Sequence, residues 1–502
     1  MKDMKKYISY LLFVLVVFCS CEDDFLNQVP DDKLTTEAFY RDAKDAEAAL
    51  ASVYSYLSST GIWNYTERVF VPENMGSDML ITGKGSSEYV EWTAMSEFTD
   101  NANNKYIASY WWYSYVGINH ANQVIEKVGK MTKDQIEDDV KNQIIGEAKF
   151  LRGFYHFRLL NCFEKIVLQM STPANEGELE KPLSERSVVW EAIEQDFKDA
   201  LILPETYDNA NTGRVTKGAA IAYLGKAYLF QKKYKEAEAE FKKLVVDRIG
   251  KYDLVDNFLS LFDGTNENSC ESIFEIQFSS LLSNGSKMGH DMARFISSDK
   301  LGGWECVLAT PKLLNLYKEE GKVSTEGKYD ARLYGTLYFN DPDVDVYGKP
   351  YREVWPSGDL IFYRKFIPSD MKIELQSNKF MGINMPQMRY ADVLLMYAEA
   401  LNENNLTSTA KKYVDQVRAR AKMPALNNSI NKGDLFKVIQ KERAKEFAIE
   451  GMRISDLRRY GDDVMKKELS TSGNAGQENF DISKHKFYLI PQVEVNSNGK
   501  IK

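Results

Sequence analysis

Along most of this 502-residue chain, apolar side chains recur at steps of three and four, the period of helices with one buried face. The pattern divides the chain into four zones. The first, about residues 35–160, begins with TTEAFYRDAKDAEAALASVYSYL, where Thr36 is placed to cap a helix whose Ala and Tyr positions repeat at three and four. Between about Ser58 and Asn104 this regularity gives way to Gly, Ser, Asn and isolated aromatics, which predicts a long loop region. Helices resume in YIASYWWYSYVGINHANQVIEKV and in the stripe Ile144, Ala148, Leu151, Tyr155 and Leu159.

The second zone carries a repeat. In AAIAYLGKAYLFQKKYKEAEAEFKKLVV, Leu224, Gly225, Tyr228, Ala237 and Phe241 stand at the mutual offsets of the tetratricopeptide pattern, whose small residues let two antiparallel helices approach closely. The fourth zone holds an echo: Ala398 and Ala410, within RYADVLLMYAEALNENNLTSTAKKYVDQVRARA, reproduce the spacing of Gly225 and Ala237. Such hairpins stack, because none buries its apolar face alone. Between them, roughly residues 250–388, the pattern is short, mixed and interrupted by Pro311, Pro342, Pro350, Pro356, Pro368 and Pro386, as expected of loops and short strands built onto a helical body. Its aromatic content separates it from a disordered linker, and long irregular insertions in compact proteins are usually functional. The expected fold is mostly α: tetratricopeptide-like stacked hairpins forming an α-superhelix, with a loop-rich insertion carrying short strands. One domain is expected over 35–502, its helical body at about 35–250 and 387–465 and its loop-rich region at about 251–386.

The amino end has a different design. Lys2, Lys5 and Lys6 precede an apolar stretch from Tyr7 to Phe18, shorter than the roughly 20 residues of a spanning helix and typical of an export signal. Ser20 supplies the small residue a signal peptidase needs before Cys21, whereas Phe18 before Cys19 does not. The segment resembles a bacterial lipoprotein signal: residues 1–20 are the leader, Cys21 is the acylated first residue, and 21–34 form a tether. Glu22, Asp23 and Asp24 are similar to the acidic tag that directs some Gram-negative lipoproteins to the outer face of the outer membrane.

Removing the leader, with its three lysines and one aspartate, takes the formal net charge from −9 to −11. An acidic chain is a poor partner for nucleic acid, whose affinity comes largely from Lys and Arg on phosphates. Beyond Cys21 only Cys162, Cys270 and Cys306 remain, widely spaced and odd in number. That pattern indicates neither a disulfide framework nor a zinc cluster, and leaves a single bridge among them open.

Several ordered segments then resemble the SusD/RagB outer-membrane nutrient-binding lipoproteins over nearly the whole chain. They are the signal with Cys21, EAKFLRGFYHFRLL at 147–160, the hairpin at 218–246, RYADVLLMYAEALNE at 389–403, ERAKEFAIEGMRISDLRRYG at 442–461 and YLIPQVEVNSN at 488–498. Two features depart from the family pattern: CFEKIVLQM at 162–170 replaces its usual Gly-containing turn and Val-Pro, and the Asn-rich, Gly-Tyr tail is missing. The resemblance implies a glycan- or peptide-binding protein that caps a TonB-dependent, SusC-like barrel and delivers oligomers for uptake.

The charged motif Glu442, Glu446 and Glu450, with Arg443, Arg453, Arg458 and Arg459 nearby, offers paired carboxylates of the kind acid–base chemistry uses. Three-apart pairs, Arg443 with Glu446 and Glu450 with Arg453, favour a structural role instead, which is also what the family implies. His120, His156, His290 and His485 are scattered without zinc spacing, and no phosphate loop or nucleophile elbow occurs. An enzyme is therefore not expected, and no cofactor or metal site is indicated. A calcium ion among the many carboxylates stays open, though no ligand loop of the EF-hand kind marks a place for one.

Aromatic residues carry the informative chemistry. A Trp or Tyr ring gives the C–H face of a sugar a flat partner contributing roughly 0.5–1.5 kcal/mol beyond burial. Two or three such platforms with hydrogen bonds reach about −4 to −8 kcal/mol, millimolar to micromolar binding suited to handing cargo on. Trp111, Trp112, Tyr113 and Trp190 fall within helices and are expected in the core. Trp63 and Tyr65, in STGIWNYTER, and Tyr89 and Trp92 beyond them lie where no helical period explains burial. SNGSKMGHDMARFISSDKLGGWE adds His290, Arg294, Phe295 and Trp304, and the family also draws on a loop here. The expected ligand-binding residues are Trp63, Tyr65, Trp92 and Trp304 as aromatic contacts and Asp78 and Arg294 as polar orienters, with Trp355 a lesser candidate. The competing classes are a peptide-binding uptake lipoprotein, a tetratricopeptide scaffold without small-ligand binding, and a surface hydrolase.

Overall fold

The computed structural model describes residues 39–58, 65–280, 282–283, 286–287, 289–356, 358–370 and 380–501. The expectations for the leader, Cys21, the tether, Thr36 and Trp63 fall outside these residues.

The helices that build the body are α1 (Ala43–Ser58), α2 (Lys105–Lys130), α3 (Asp138–Cys162), α4 (Arg186–Asp199), α5 (Lys217–Phe230), α6 (Tyr234–Val245), α7 (Tyr390–Glu403), α8 (Thr407–Arg420) and α9 (Lys432–Glu446). Each packs on the next in a continuous stack, α1 on α2 and α3, then onward pair by pair, with α6 meeting α7 across the long insertion and α9 closing on α7 and α8. This is the expected tetratricopeptide-like superhelix. The first helix starts at Ala43, where the Asp42 carboxylate accepts from the backbone N–H groups of Lys44 and Asp45 and so caps it.

The α5–α6 hairpin shows why its sequence is patterned as it is. Leu224, Ala237 and Phe241 are buried, and a Cβ built on Gly225 would lie 2.7 Å from the Phe241 ring. Any larger residue forces the two helices apart. Helix α3 is the central post, buried on all sides along its second half. Its Glu147 carboxylate, fully buried, is answered by Arg214 at 2.7 Å and by the hydroxyls of Tyr54 and Tyr207.

The insertion is made of short pieces tied back to the body. Strand β1 (Leu80–Thr82) pairs antiparallel with β3 (Val307–Ala309), Leu80 opposite Ala309, and β2 (Ser272–Ile276) pairs with β4 (Met385–Arg389) through two register shifts. Strand β4 runs directly into α7, so the insertion returns to the stack where it must. The region between Ser58 and Asn104 differs from the loop expected of it. From residue 65 it holds a π-helical turn (Thr66–Phe70), strand β1 and a helix at Val90–Ser96, and it buries Tyr65, Phe70, Val71, Met75, Met79 and Trp92. Its apolar residues are too few per turn to show a period, yet they fill the gap between stack and insertion.

The charged motif ending α9 forms the polar core. Glu442 binds Arg332 at 2.5 Å and Arg418 at 2.8 Å, Glu446 binds Arg389 at 2.8 Å and also Arg420, and Glu450 binds Lys365 at 2.6 Å and Arg389 at 2.8 Å. The three-apart pairs expected along the helix do not form. Arg443 goes instead to Asp392 and Asp456, and Arg453 to Asp78. Burial would raise the carboxyl of Glu442, but the charges of Arg332, Lys445 and Arg418 outweigh it and hold the group at about 2. These glutamates are tied by cations brought from four other segments, which is a structural arrangement. Cys162, Cys270 and Cys306 are free thiols.

Candidate functional site

The loop that begins at His290 turns through a short helix, Met292–Ile296, and closes at Gly302, which takes a left-handed φ of 82°. The backbone N–H of Trp304 then donates to the Arg294 carbonyl at 2.7 Å, so the loop folds back on itself and sets Trp304 beside the helix. A second loop, GKGSSEY at 83–89, is pinned against it. Gly83 N–H donates to the Cys306 carbonyl and Gly85 N–H to the Glu305 carbonyl, and a Cβ on Gly85 would stand 1.7 Å from the Trp304 carbonyl oxygen. Only glycine fits there.

The result is an exposed Trp304, 38% accessible, with the Arg294 guanidinium over its ring at 4.3 Å and the Phe295 ring edge-on at 5.1 Å. Arg294 itself is only 8% exposed. Phe295 contacts Tyr89, which stacks on Trp92 at 4.6 Å. Burial, with Cys306, Glu67, Asp291 and Glu88 nearby, pushes the half-buried Tyr89 phenol up to about 12.

A second aromatic surface lies on α2. Trp112 is 56% exposed and edge-on to Tyr113, whose ring carries the Arg68 guanidinium at 3.5 Å and packs against Tyr56. Arg68 belongs to the π-helical turn Thr66–Phe70, as does the Glu67 that acts on Tyr89, so this turn adjoins both surfaces. Single π-helical turns recur at functional sites because they displace side chains from the regular helical face.

Of the residues the sequence pointed to, Arg294 and Trp304 are brought together at the surface. Trp92 is corrected: its side chain is fully buried among Tyr89, Tyr106 and Phe295 and supports the site from beneath rather than offering a platform. Asp78 is corrected as well. It is fully buried, both its oxygens engaged by Arg453 and Lys312, at 2.6 Å and 2.8 Å in the nearest contacts, and no surface of it is left for a ligand. Tyr65 is buried against Phe278, its hydroxyl accepting from the Gln387 amide at 3.1 Å. Trp355 is buried too, stacked on Phe362 with its indole N–H donating to Ser298 Oγ at 2.9 Å. His290 and Phe295 are core residues of the same loop.

Trp112 was missed. It was expected in the core, but the buried stripe of α2 runs through Ile107, Tyr110, Trp111, Ser114 and Ile118, and Trp112 sits about 100° around the helix from Trp111. The phase of that stripe was the available signal.

Two family models match the chain: one described as SusD family over residues 270–502, the other as "Starch-binding associating with outer membrane" over residues 24–229. Both parts of the chain are thus SusD-like. Among SusD-like relatives, protein P2 of Formosa agariphila is 26% identical, the match covering 99% of each chain. A SusD-like protein of Bacteroides ovatus is 24% identical over 89% of this chain and 81% of its own. A SusD superfamily protein from Bacteroides vulgatus superposes with a TM-score of 0.81 at 26% identity, covering 92% of this chain and 99% of that one. A structure named as a laminarin binding SusD-like protein superposes at 0.73 with 25% identity and the same coverage. These SusD relatives are named for family or for binding, not for catalysis.

Proposed function

We propose that this chain is a surface-exposed lipoprotein that captures oligosaccharides and delivers them to a TonB-dependent, SusC-like transporter in the outer membrane. Cys21 is its acylated anchor, residues 1–20 its leader, residues 21–34 its tether, and one SusD-like domain follows from residue 35. Several acyl chains make the attachment lasting, since one alone holds only marginally.

The observation that carries the reading is Trp304. An indole held by Phe295 and Arg294 on a loop with two glycine-dependent backbone contacts still leaves part of its ring in water, and a fixed flat ring at the surface is the partner a sugar face requires. The laminarin-binding relative supports a glycan as the cargo. Trp112 and Tyr113 offer a second platform, and Trp63, close in sequence to Tyr65, a further one.

The test is a glycan array or affinity gel with the protein lacking residues 1–21, together with pull-down of the native lipoprotein from outer membranes in mild detergent. Retardation by at least one polysaccharide and co-purification of a large barrel are expected. Retention by peptides instead of glycans, or purification of the native protein without a barrel, would overturn the corresponding half of the reading.

A further inference from the structure

Among the described residues the Arg294 guanidinium has no hydrogen-bond or ion-pair partner. Its Nε and Nη1 are buried without an acceptor, and its one described partner is the face of Trp304. Other buried arginines are answered by carboxylates: Arg332 by Asp330, Glu442 and Glu446, and Arg389 by Glu271, Glu446 and Glu450. Two acids of this part of the chain are committed elsewhere. Glu305 binds Lys84 and Ser298, and Asp299 binds Lys84. A guanidinium that is nine-tenths buried and lacks acceptors is costly in a free protein, and cation–π contact with one ring offsets that cost only in part.

The protein therefore holds a positive charge beside its exposed tryptophan without supplying the negative one. We infer that the Trp304 site takes an acidic saccharide, one bearing a carboxylate or a sulfate ester, with the sugar face against the exposed indole and the anionic substituent accepting hydrogen bonds from Arg294. This inference rests on the glycan-binding reading and narrows it to a substrate class. The planar fork of arginine suits both substituents, because each presents two or more oxygens to paired N–H donors. Neutral glucans satisfy the ring and leave the guanidinium unanswered. Anionic ones satisfy both.

The experiment is isothermal titration of the full chain in detergent micelles with three probes of matched length: an oligogalacturonate for carboxylate, a sulfated galactan oligosaccharide for sulfate ester, and a neutral β-glucan oligosaccharide. At least one acidic probe is expected to bind about tenfold or more tightly than the neutral one, and to weaken as sodium chloride is raised. R294Q is expected to lose about tenfold to a hundredfold toward that probe, the range for a hydrogen bond to a charged group, while R294K, which keeps the charge but not the fork, recovers part of it. Unchanged melting of R294Q separates lost recognition from lost folding. Neutral binding at equal strength, with R294Q indifferent to the acidic probes, overturns the acidic class and leaves glycan binding standing. Binding of none of the three, with peptides bound instead, overturns both.

Discussion

Asp78→Asn is a decisive perturbation, because sequence and structure assign that residue opposite roles. As a ligand orienter, Asp78 would lie at the surface and its loss would weaken binding. In the fold it is fully buried and bridges Arg453 to Lys312, joining the segment before β1 to the chain just beyond α9 and to the helix Pro311–Lys318. Burial alone would raise its carboxyl, but the charges and hydrogen bonds of Arg453 and Lys312 outweigh it and hold the group at about 2, against an ordinary value of 3.8. That depression corresponds to about 2 kcal/mol by linkage. Removing one partner of a buried pair costs up to about 3–5 kcal/mol. With an unfolding entropy of about 2 cal/mol/K per residue, a domain of about 470 residues loses about 1 °C of Tm per kcal/mol. D78N should therefore melt about 2–5 °C below the parent at neutral pH. A carboxyl depressed in the folded state stabilises fully above its unfolded value and loses that contribution as pH falls toward the folded one. The Tm gap should thus be constant from pH 8 to pH 5 and narrow between pH 4 and pH 2. Differential scanning calorimetry reads the gap, and affinity for any glycan retained on a gel should be unchanged in the folded protein. An unshifted Tm with tenfold weaker glycan binding would refute the burial argument and restore Asp78 to the ligand.

The two tryptophans that the sequence treated alike should separate. W92A removes a fully buried ring and should cost about 3–5 kcal/mol, seen as a Tm lower by a similar number of degrees on the same scale. W304A should leave Tm within about 1 °C and weaken glycan binding about two- to tenfold, the worth of one stacking ring, measured by affinity electrophoresis. G225A pushes a methyl into the Phe241 ring and should destabilise by about 1–3 kcal/mol in calorimetry, whereas a change on the open face of α6 should do almost nothing. C21A should abolish acylation: metabolic labelling with a fatty acid should mark the parent and not the variant, and equal labelling would remove Cys21 as the anchor.

The helical repeats were legible because helix period and close approach are local properties. Gly225 and Ala237 could be recognised as interface residues from spacing alone, since twelve residues around one hairpin bring them to the same crossing wherever the hairpin sits. The loop-rich insertion was legible from its prolines, and the family from the order of its motifs. Burial of the single aromatics was not. Trp92 and Trp304 look alike in sequence, each in a short irregular stretch among polar residues, and which of them faces water depends on two loops separated by more than two hundred positions. The partners of the charged motif were hidden for the same reason. A helix offers Arg443 a glutamate three residues on, yet Asp392 and Asp456 arrive from other helices with better geometry and no competing solvent.

The amino-acid order thus determined by itself the elements that depend on near neighbours: a stack of amphipathic hairpins and the glycine where two of their helices meet. Tertiary structure decided whatever depends on exclusion of water across long separations. It took Asp78 out of solvent and into the core, buried Trp92, turned Trp112 outward, and left Arg294 beside Trp304 without an acceptor among the described residues. Period is a property of one segment, whereas exposure and charge compensation belong to several segments at once, which meet only in the folded chain.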